Sequence, residues 1–548
     1  MSEQFDPNQA LANAQIAVDT AIAVVDKASQ RLAQLSIVDG KVSVTKLDEH
    51  QILAYELAHG AAAIEGSKVM LHYGQHGLVE AQIAVAFIAD AVWDLGTRLH
   101  GRSSVWGSSL VDLAPAADFV EQFRSPEFLA ALGDVVAHVG TGPNHLDEEF
   151  ELVAETFRRF GDDKVRPHAE HVHRSNSDVP ESILEALAEV GGFGLSVPEE
   201  FGGFATGGES DYMGMVVSTE ELSRSSLGIG GSLITRPEIL TRAIVAGGTQ
   251  EQKQKWLPRV ASGELLAGIM VTEPDFGSDV AGVKVAATPV DGGYVINGVK
   301  TWCTFAGRAT LLLVLARTST DRSLGHRGLS CFLVEKPQAE GHHFEFTQDS
   351  GGKLEGRAID TIGYRGMHSY EVAFDNWFVP NENLIGEEAG LGKGFYLQMA
   401  GFENGRLQTA ARAVGLMQAA FEAALSYAQN RNVFGHAVFD YQLSKAKIAR
   451  MAVLIQAGRQ FSYAVAKMMA NGEGTLEASM VKAYVCRAAE WVTREAMQLH
   501  GGMGYAEEFP VSRYFVDARV LSIFEGADET LCLRVIARRL ADNALATA

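Results

Sequence analysis

Three short segments of the 548-residue chain hold residue types that could do chemistry. The first, IMVTEPDFGSD at 269–279, gathers Thr272, Ser278 and the bare backbone of Gly277 into one loop. Hydroxyl and backbone N–H donors so close together can bind the edge of a heteroaromatic ring and a phosphate, although an ordinary polar turn is built the same way. The second, KTWCTFAG at 300–307, sets Trp302 and Thr304 two residues apart, hence on one face of a regular strand. A flat indole beside a hydroxyl can wall a flavin ring and hydrogen-bond its N5; a core tryptophan with a cross-strand threonine is the plainer reading. The third, IFEGADET at 523–530, places Glu525 before Gly526, where the chain can approach a ligand closely. Outside any further context, a Glu-Gly pair more often caps or exposes a turn.

The elements that must position these segments are legible from periodicity. Ala, Leu, Ile and Val recur at helical spacing over 8–36, 46–74 and 78–100, broken at Asp39-Gly40 and around Gly74 and Gly77, which predicts an all-helical region over 1–145. VGTGPNH at 139–145 interrupts that texture, and Asp147 opens an acidic first turn in DEEFELVAETFRRF, so a second helical domain is expected over 146–265, with Gly-rich breaks at 191–194 and 201–208. VKVAATPV and YVINGVKTWC flank an Asp291-Gly292 turn, and LLLVLA, LSCFLVE, FEFTQ and YEVAFDNWFVP follow as short β-rich runs; residues 266–385 read as a β domain. Long helical patterns then return, and 386–548 reads as a helical bundle. The fold class is therefore α+β. Strands and helices do not alternate, which argues against a Rossmann-type parallel sheet.

Composition narrows the partners. A formal charge of −22 disfavours nucleic acid or an anionic membrane as the main partner, so an anionic ligand has to be met by local cations. Cys303, Cys331, Cys486 and Cys532 lie far apart with no CxxC spacing, which suggests neither a disulfide framework nor a metal site and fits a reducing cytoplasm. The first residues lack a basic stretch followed by an apolar core, and no run of 18 uncharged apolar residues occurs, so neither export nor a membrane span is expected.

Four further segments complete a pattern: LSVPEEFGG (195–203), RNVFGHAVFDYQ (431–442), QLHGGMGY (498–505) and RYFVDARVLSIFEGADET (513–530). In this order and spacing, residues 146–548 resemble the acyl-CoA dehydrogenase family. The resemblance implies a helical domain, a central β domain and a C-terminal four-helix bundle, here preceded by an extra helical region. It also implies FAD, and removal of two hydrogens from the Cα–Cβ bond of an acyl-CoA thioester, one as a proton and one as a hydride. Glu525 falls at the base position and Gly526 beside the thioester, with the backbone N–H of Glu525 and a flavin ribityl hydroxyl on the thioester oxygen. A desolvated carboxylate suits the base role, since burial raises affinity for a proton. Ile269, Val271, Thr272, Gly277, Ser278, Trp302 and Thr304 match the flavin shell. Arg431, Phe434, Gln442, Gln498 and Gly502 match residues that reach the FAD of a neighbouring subunit, which makes a homo-oligomer part of the site; a planar guanidinium such as that of Arg431 suits a pyrophosphate. Ala527 and Glu529 also fall at cofactor positions, and Ser278, Phe402 and Arg406 along the acyl-CoA path. Val433 and Ala527 depart from the family's usual threonines, removing hydroxyls near the adenosine. One subgroup carries its base at the position of Gly405, where glycine cannot serve.

Ordinary members begin near residue 146. The length and the helical extension are similar to the members that convert a short branched dicarboxylic substrate, methylsuccinyl-CoA, to mesaconyl-CoA in the ethylmalonyl-CoA route, with electron transfer flavoprotein as acceptor. A distal carboxylate needs a cation or several donors, because burying it bare is costly. ELSRSSLGIGGSLITRPE (221–238) offers Arg224, Ser225, Ser226 and Arg236. The extension is expected to cover the bundle surface through which ordinary members form tetramers, leaving a dimer. The alternatives are a short or branched monocarboxylic acyl-CoA dehydrogenase, an acyl-CoA oxidase using oxygen, and a non-catalytic acyl-CoA-binding scaffold.

Overall fold

A computed structural model describes residues 5–547. The chain opens with α1 (Pro7–Ser36), a two-stranded ribbon of β1 (Ile37–Val38) and β2 (Lys41–Val42), then α2 (Val44–Glu49), α3 (Gln51–Tyr73), α4 (Leu78–Leu99), α5 (Ser103–Trp106), α6 (Ala117–Phe123) and α7 (Pro126–Val139). Next come α8 (Glu148–Phe160), α9 (Arg166–Ser175), α10 (Glu181–Glu189), α11 (Glu209–Ser225), α12 (Thr235–Gly247) and α13 (Gln250–Ala261). The sheet strands follow: β3 (Ala267–Met270), β4 (Ala286–Val290), β5 (Gly293–Thr304), β6 (Leu311–Arg317), β7 (Leu329–Glu335), β8 (His343–Thr347), β9 (Lys353–Ile359) and β10 (Ser369–Pro380). The last stretch is α14 (Gly394–Asn430), a small hairpin of β11 (Asn432–Val433) and β12 (His436–Ala437), α15 (Gln442–Ala470), α16 (Thr475–Leu499), α17 (Val511–Leu521), α18 (Asp528–Thr530), a π-turn over Leu531–Ile536, and α19 (Ala537–Ala546). These form two compact units, one of residues up to 149 together with 409 onward, the other of 150–408.

In the first unit the extension and the C-terminal helices share one body. Asp6 caps α1 by accepting from the N–H groups of Asn8 and Gln9, with Pro7 at the first helical position. Its buried face is Ala10, Ala14, Ala17, Ala21 and Ala28 with interleaved valines, a small-residue stripe at helical spacing that lets neighbouring helices come close. Periodicity marked helices only to residue 100; α5 to α7 are shorter pieces, and α7 starts at a local cap, where Ser125 accepts from the N–H of Phe128 ahead of Pro126. α3 packs against α15 and α16, and α7 lies along α15. A Cβ on Gly133 of α7 would stand 2.5 Å from the Lys445 carbonyl, so only glycine permits that approach. The linker is pinned as well: Gln456 donates to the Pro143 carbonyl at 2.8 Å, Gln460 to that of Asn144 at 2.9 Å, and Arg459 to the Thr141 hydroxyl at 3.1 Å.

The second unit is an eight-stranded sheet with helices on it. The order is β3-β6-β4-β5-β10-β9-β8, with β7 on the other side of β6. It is antiparallel except along β6, where β3 runs parallel over Ala267–Met270 and β4 joins at a single pair; the parallel contact is reached through the β4–β5 hairpin and needs no crossover helix. β6 is buried on both faces. Leu312, Val314 and Ala316 enter one core with Phe160, Ile183 and Leu184, while Leu311, Leu313 and Leu315 enter another with Leu240, Ile244 and Trp256. That explains the unbroken apolar run LLLVLA, since a strand covered on both faces loses its alternation.

Candidate active site

The expected site residues divide between the units. In the second unit the loop after β3 is held by a buried ion pair. Lys300 on β5, fully buried, donates at 2.9 Å to both the Glu273 carboxylate and the Val271 carbonyl. The Glu273 carboxylate also accepts from the N–H groups of Lys284 and Val285. The N–H of Thr301 donates to the Thr272 carbonyl at 2.9 Å, so loop and strand form one rigid shelf. Neither Glu273 nor Lys300 was singled out from sequence; the signal was their pairing across 27 residues, which only the fold reveals. Val271 is buried in the core and Ile269 packs against it, whereas a Cβ on Gly277 would meet only one methyl, 4.0 Å away, leaving open space there.

The strand carrying Trp302 is irregular. β10 shifts register against β5 between Tyr370 and Val372, so Thr301 and Trp302 oppose the single residue Glu371, and Trp302 takes φ 56°. The bulge turns the indole out, 57% exposed, while Thr304 stays buried with its hydroxyl 3.0 Å from that of Ser369. The expectation that the two sit side by side on a regular strand is thus corrected.

The candidate carboxylate-binding residues also separate. Arg224 is committed: its guanidinium pairs with Glu221 at 3.1 Å and Asp162 at 2.7 Å. The Ser225 hydroxyl donates back to the Glu221 carbonyl, and that of Ser226 accepts from the N–H of Ile229. Arg236, near the start of α12, is equally buried but pairs with no carboxylate among the described residues; its Nη1 donates to the Tyr364 hydroxyl at 3.1 Å, which also meets the Ser232 hydroxyl. Phe402 and Arg406 are half-buried on α14, Phe402 against the core that includes Ile239 and Leu257, and Gly405 is buried in the same helix. A cavity of about 720 Å³ lined by Asp178, Glu181, Arg308, Gln338 and Glu340 contains none of these residues.

In the first unit Glu525 sits between α17 and α18 with φ 52°, followed by Gly526 at φ 93°. A left-handed glutamate costs about 1–3 kcal/mol and persists only where its surroundings fix it. Here Lys482 donates to the carbonyls on both sides, Phe524 at 3.0 Å and Gly526 at 2.5 Å, and the N–H of Asp528 closes the loop onto the Ser522 carbonyl at 3.0 Å. The Glu525 side chain is 9% exposed, with the fully buried Arg412 guanidinium 4.0 Å away and lying over the Phe524 ring. Arg412, Lys482 and Asp528 were also missed from sequence.

The remaining cofactor candidates lie on this unit. Phe434 and Gly435, both at positive φ, turn the β11–β12 hairpin, and Phe434 is 95% exposed at its tip. Arg431 is exposed and makes no ion pair with a described residue. Gln442, Gln498, Gly502 and Glu529 are exposed, and Ala527 is half-buried. Within the second unit, an out-turned indole, open space at Gly277 and hydroxyls at Thr272 and Thr304 are a donor and stacking set that fits a flavin.

Comparison with known proteins agrees. Models of the N-terminal, middle and C-terminal domains of acyl-CoA dehydrogenases match residues 147–264, 268–377 and 392–541. A (2S)-methylsuccinyl-CoA dehydrogenase of Cereibacter sphaeroides is 39% identical over 547 residues, 95% of this chain and 96% of its own. A mitochondrial isovaleryl-CoA dehydrogenase of Oryza sativa subsp. japonica is 35% identical over 388 residues, 70% of this chain and 89% of its own. The butyryl-CoA dehydrogenase structure from Megasphaera elsdenii superposes with a TM-score of 0.64 at 29% identity, covering 71% of this chain and 97% of that one. The chain belongs to the acyl-CoA dehydrogenase family of FAD-dependent oxidoreductases.

Proposed function

We propose that the chain dehydrogenates methylsuccinyl-CoA to mesaconyl-CoA and delivers the electrons to an electron transfer flavoprotein. The observation that carries this reading is the end-to-end likeness to (2S)-methylsuccinyl-CoA dehydrogenase, helical extension included, where the isovaleryl- and butyryl-type proteins match only some 70% of the chain. The buried, carboxylate-free Arg236 supports it, because a guanidinium left without a counter-ion in the interior is costly until a ligand's carboxylate arrives. Arg236 binds the distal carboxylate, with the hydroxyls of Tyr364 and Ser232 orienting it.

Glu525 takes the α-proton. Its low exposure keeps water from competing for that proton, and Arg412 holds the carboxylate in place. The N–H of Glu525 hydrogen-bonds the thioester oxygen as charge develops there. Bound FAD supplies the acceptor for the β-hydride. Thr272, Ser278, Trp302 and Thr304 hold the ring system. Arg431, Phe434, Gln442 and Gln498 of one subunit reach the FAD of another, so the enzyme works as an oligomer; the extension, packed on α15 and α16, limits it to a dimer, and a tetramer mass by light scattering would remove that element.

The test is anaerobic bleaching of the flavin band on adding methylsuccinyl-CoA, butyryl-CoA, isobutyryl-CoA and glutaryl-CoA in turn. Fast bleaching by methylsuccinyl-CoA alone, lost in Glu525→Gln, is the expected result. Fast bleaching by a monocarboxylic acyl-CoA instead would overturn the substrate.

A further inference from the structure

The loop carrying Glu525 is anchored from an unexpected quarter. Tyr55 and His59, one turn apart on α3, both reach the Asp528 carboxylate: the Tyr55 hydroxyl donates at 2.5 Å, and His59 Nε2 lies 3.0 Å from the same oxygen. Burial holds His59 below the usual imidazole pKa, so it is neutral and its Nε2–H donates. Burial opposes ionisation of Asp528, but the hydrogen bonds from His59 and Tyr55 outweigh it and hold the carboxyl below its ordinary range. Cys532 completes the cluster, its sulfur 3.4 Å from His59 Nε2 and 3.9 Å from the other Asp528 oxygen, with burial keeping it a thiol. His59, Asp528 and Cys532 bring ligand-type atoms together, yet a metal is not needed: three donors, the O–H, N–H and S–H, converge on one carboxylate that can accept them all.

The position matters more than the strength. Asp528 is three residues from Glu525 and closes its loop through the bond to the Ser522 carbonyl. A second tie, the ion pair of Arg534 with Asp48 of α2 at 2.8 Å, fastens the following π-turn to the same extension. The matched family models begin at residue 147, so Tyr55, His59 and Asp48 all come from chain outside the shared family domains. We propose that α3 of the N-terminal extension is a positioning element for the catalytic base, acting on Glu525 through the Tyr55–His59–Asp528 hydrogen bonds. This rests on Glu525 being the base. The extension is then part of the catalytic apparatus as well as a cover for the bundle.

The experiment uses the FAD-loaded full chain and compares Tyr55→Phe, His59→Leu, their combination, and His59→Gln, which retains an N–H donor. A base displaced by about 1 Å loses on the order of 10²-fold in rate. The expected result for the double variant is a fall in kcat of roughly 10- to 100-fold with KM for acyl-CoA within about threefold and FAD content unchanged. The kinetic isotope effect with α-deuterated substrate should rise as proton removal becomes limiting, and His59→Gln should recover most of the rate. Tyr55→Phe, which removes one oxygen, serves if the double variant fails to fold. Unchanged kcat and isotope effect, or a loss that only tracks FAD release or unfolding, overturns the proposal. Glu525→Gln, run in parallel, separates the two readings: wild-type turnover there means the base lies elsewhere and this proposal falls with it, whereas an inactive Glu525→Gln beside unaffected α3 variants overturns the positioning role alone.

Discussion

On the proposed assignment of Arg236 to the distal carboxylate, replacing it by methionine should separate recognition of that carboxylate from the rest of the reaction. Arg236 is 6% exposed and its hydrogen-bond partner is the Tyr364 hydroxyl, so a substrate carboxylate bound to it would be a buried pair. Removing one partner of such a pair costs about 3–5 kcal/mol. At about 1.4 kcal/mol per decade this is a fall of roughly 10²- to 10³-fold or more in kcat/KM for methylsuccinyl-CoA. The same change should leave kcat/KM for butyryl-CoA within about threefold, since that substrate brings no carboxylate. Stability provides an independent sign. An interior guanidinium without a counter-ion is a liability, so Arg236→Met should leave the unliganded protein unchanged or more stable. Arg224→Met should instead destabilise it, by about 1 kcal/mol, because it removes a guanidinium shared by Glu221 and Asp162 while Glu221 keeps Arg158 and Asp162 keeps Arg166. Steady-state kinetics with both substrates and urea unfolding of both variants make the assay. Equal losses for the two acyl-CoAs, or a selectivity change in Arg224→Met and none in Arg236→Met, would refute the reasoning.

Three more outcomes follow from the same geometry. Because burial keeps His59 neutral, the unfolded chain binds an extra proton below about pH 6.5, so stability falls as pH drops from there, and Asp528 adds a further loss below about pH 4. Urea melts at pH 7.5 and 5.5 should show a smaller drop for His59→Gln than for the wild type, and equal drops would contradict the assignment. Gly133→Val places a side chain against the Lys445 carbonyl and should lower stability by about 1–3 kcal/mol, read as an earlier unfolding midpoint. Arg431→Met should raise the fraction of FAD lost on ultrafiltration without changing the fold by circular dichroism; full retention would take Arg431 out of the cofactor site.

Where the pattern was local, the sequence was sufficient. Helical spacing located α1, α3 and α4, the Asp291-Gly292 turn located the β4–β5 hairpin, and the motif order led to the family. What escaped it was nonlocal. The ion pair of Lys300 with Glu273, the commitment of Arg224 to Asp162 and the anchoring of Asp528 by Tyr55 join residues 27, 62 and 473 positions apart, and no spacing rule announces such pairs. The outward swing of Trp302 was hidden for another reason: alternation is the right expectation for a strand, and only the register shift opposite Glu371 breaks it. Choosing between Arg224 and Arg236 likewise required seeing which one already had acids beside it.

The discontinuous first unit has a consequence for how the protein is made. Its opening helices are complete once residue 149 has been synthesised, but the stretch that completes the unit begins at residue 409, about 260 residues later. At about 5–20 residues per second, the apolar faces of α3 and α7 wait on the order of tens of seconds for α15 and α16. During that interval the nascent chain displays alanine- and leucine-rich surface with nothing to cover it, an invitation to chaperones and to aggregation. Tyr55 and His59 likewise meet Asp528 only when the final twentieth of the chain emerges. Ribosome-bound chains stopped before residue 409 should therefore expose α3 to protease, and protection should arrive only with the C-terminal helices.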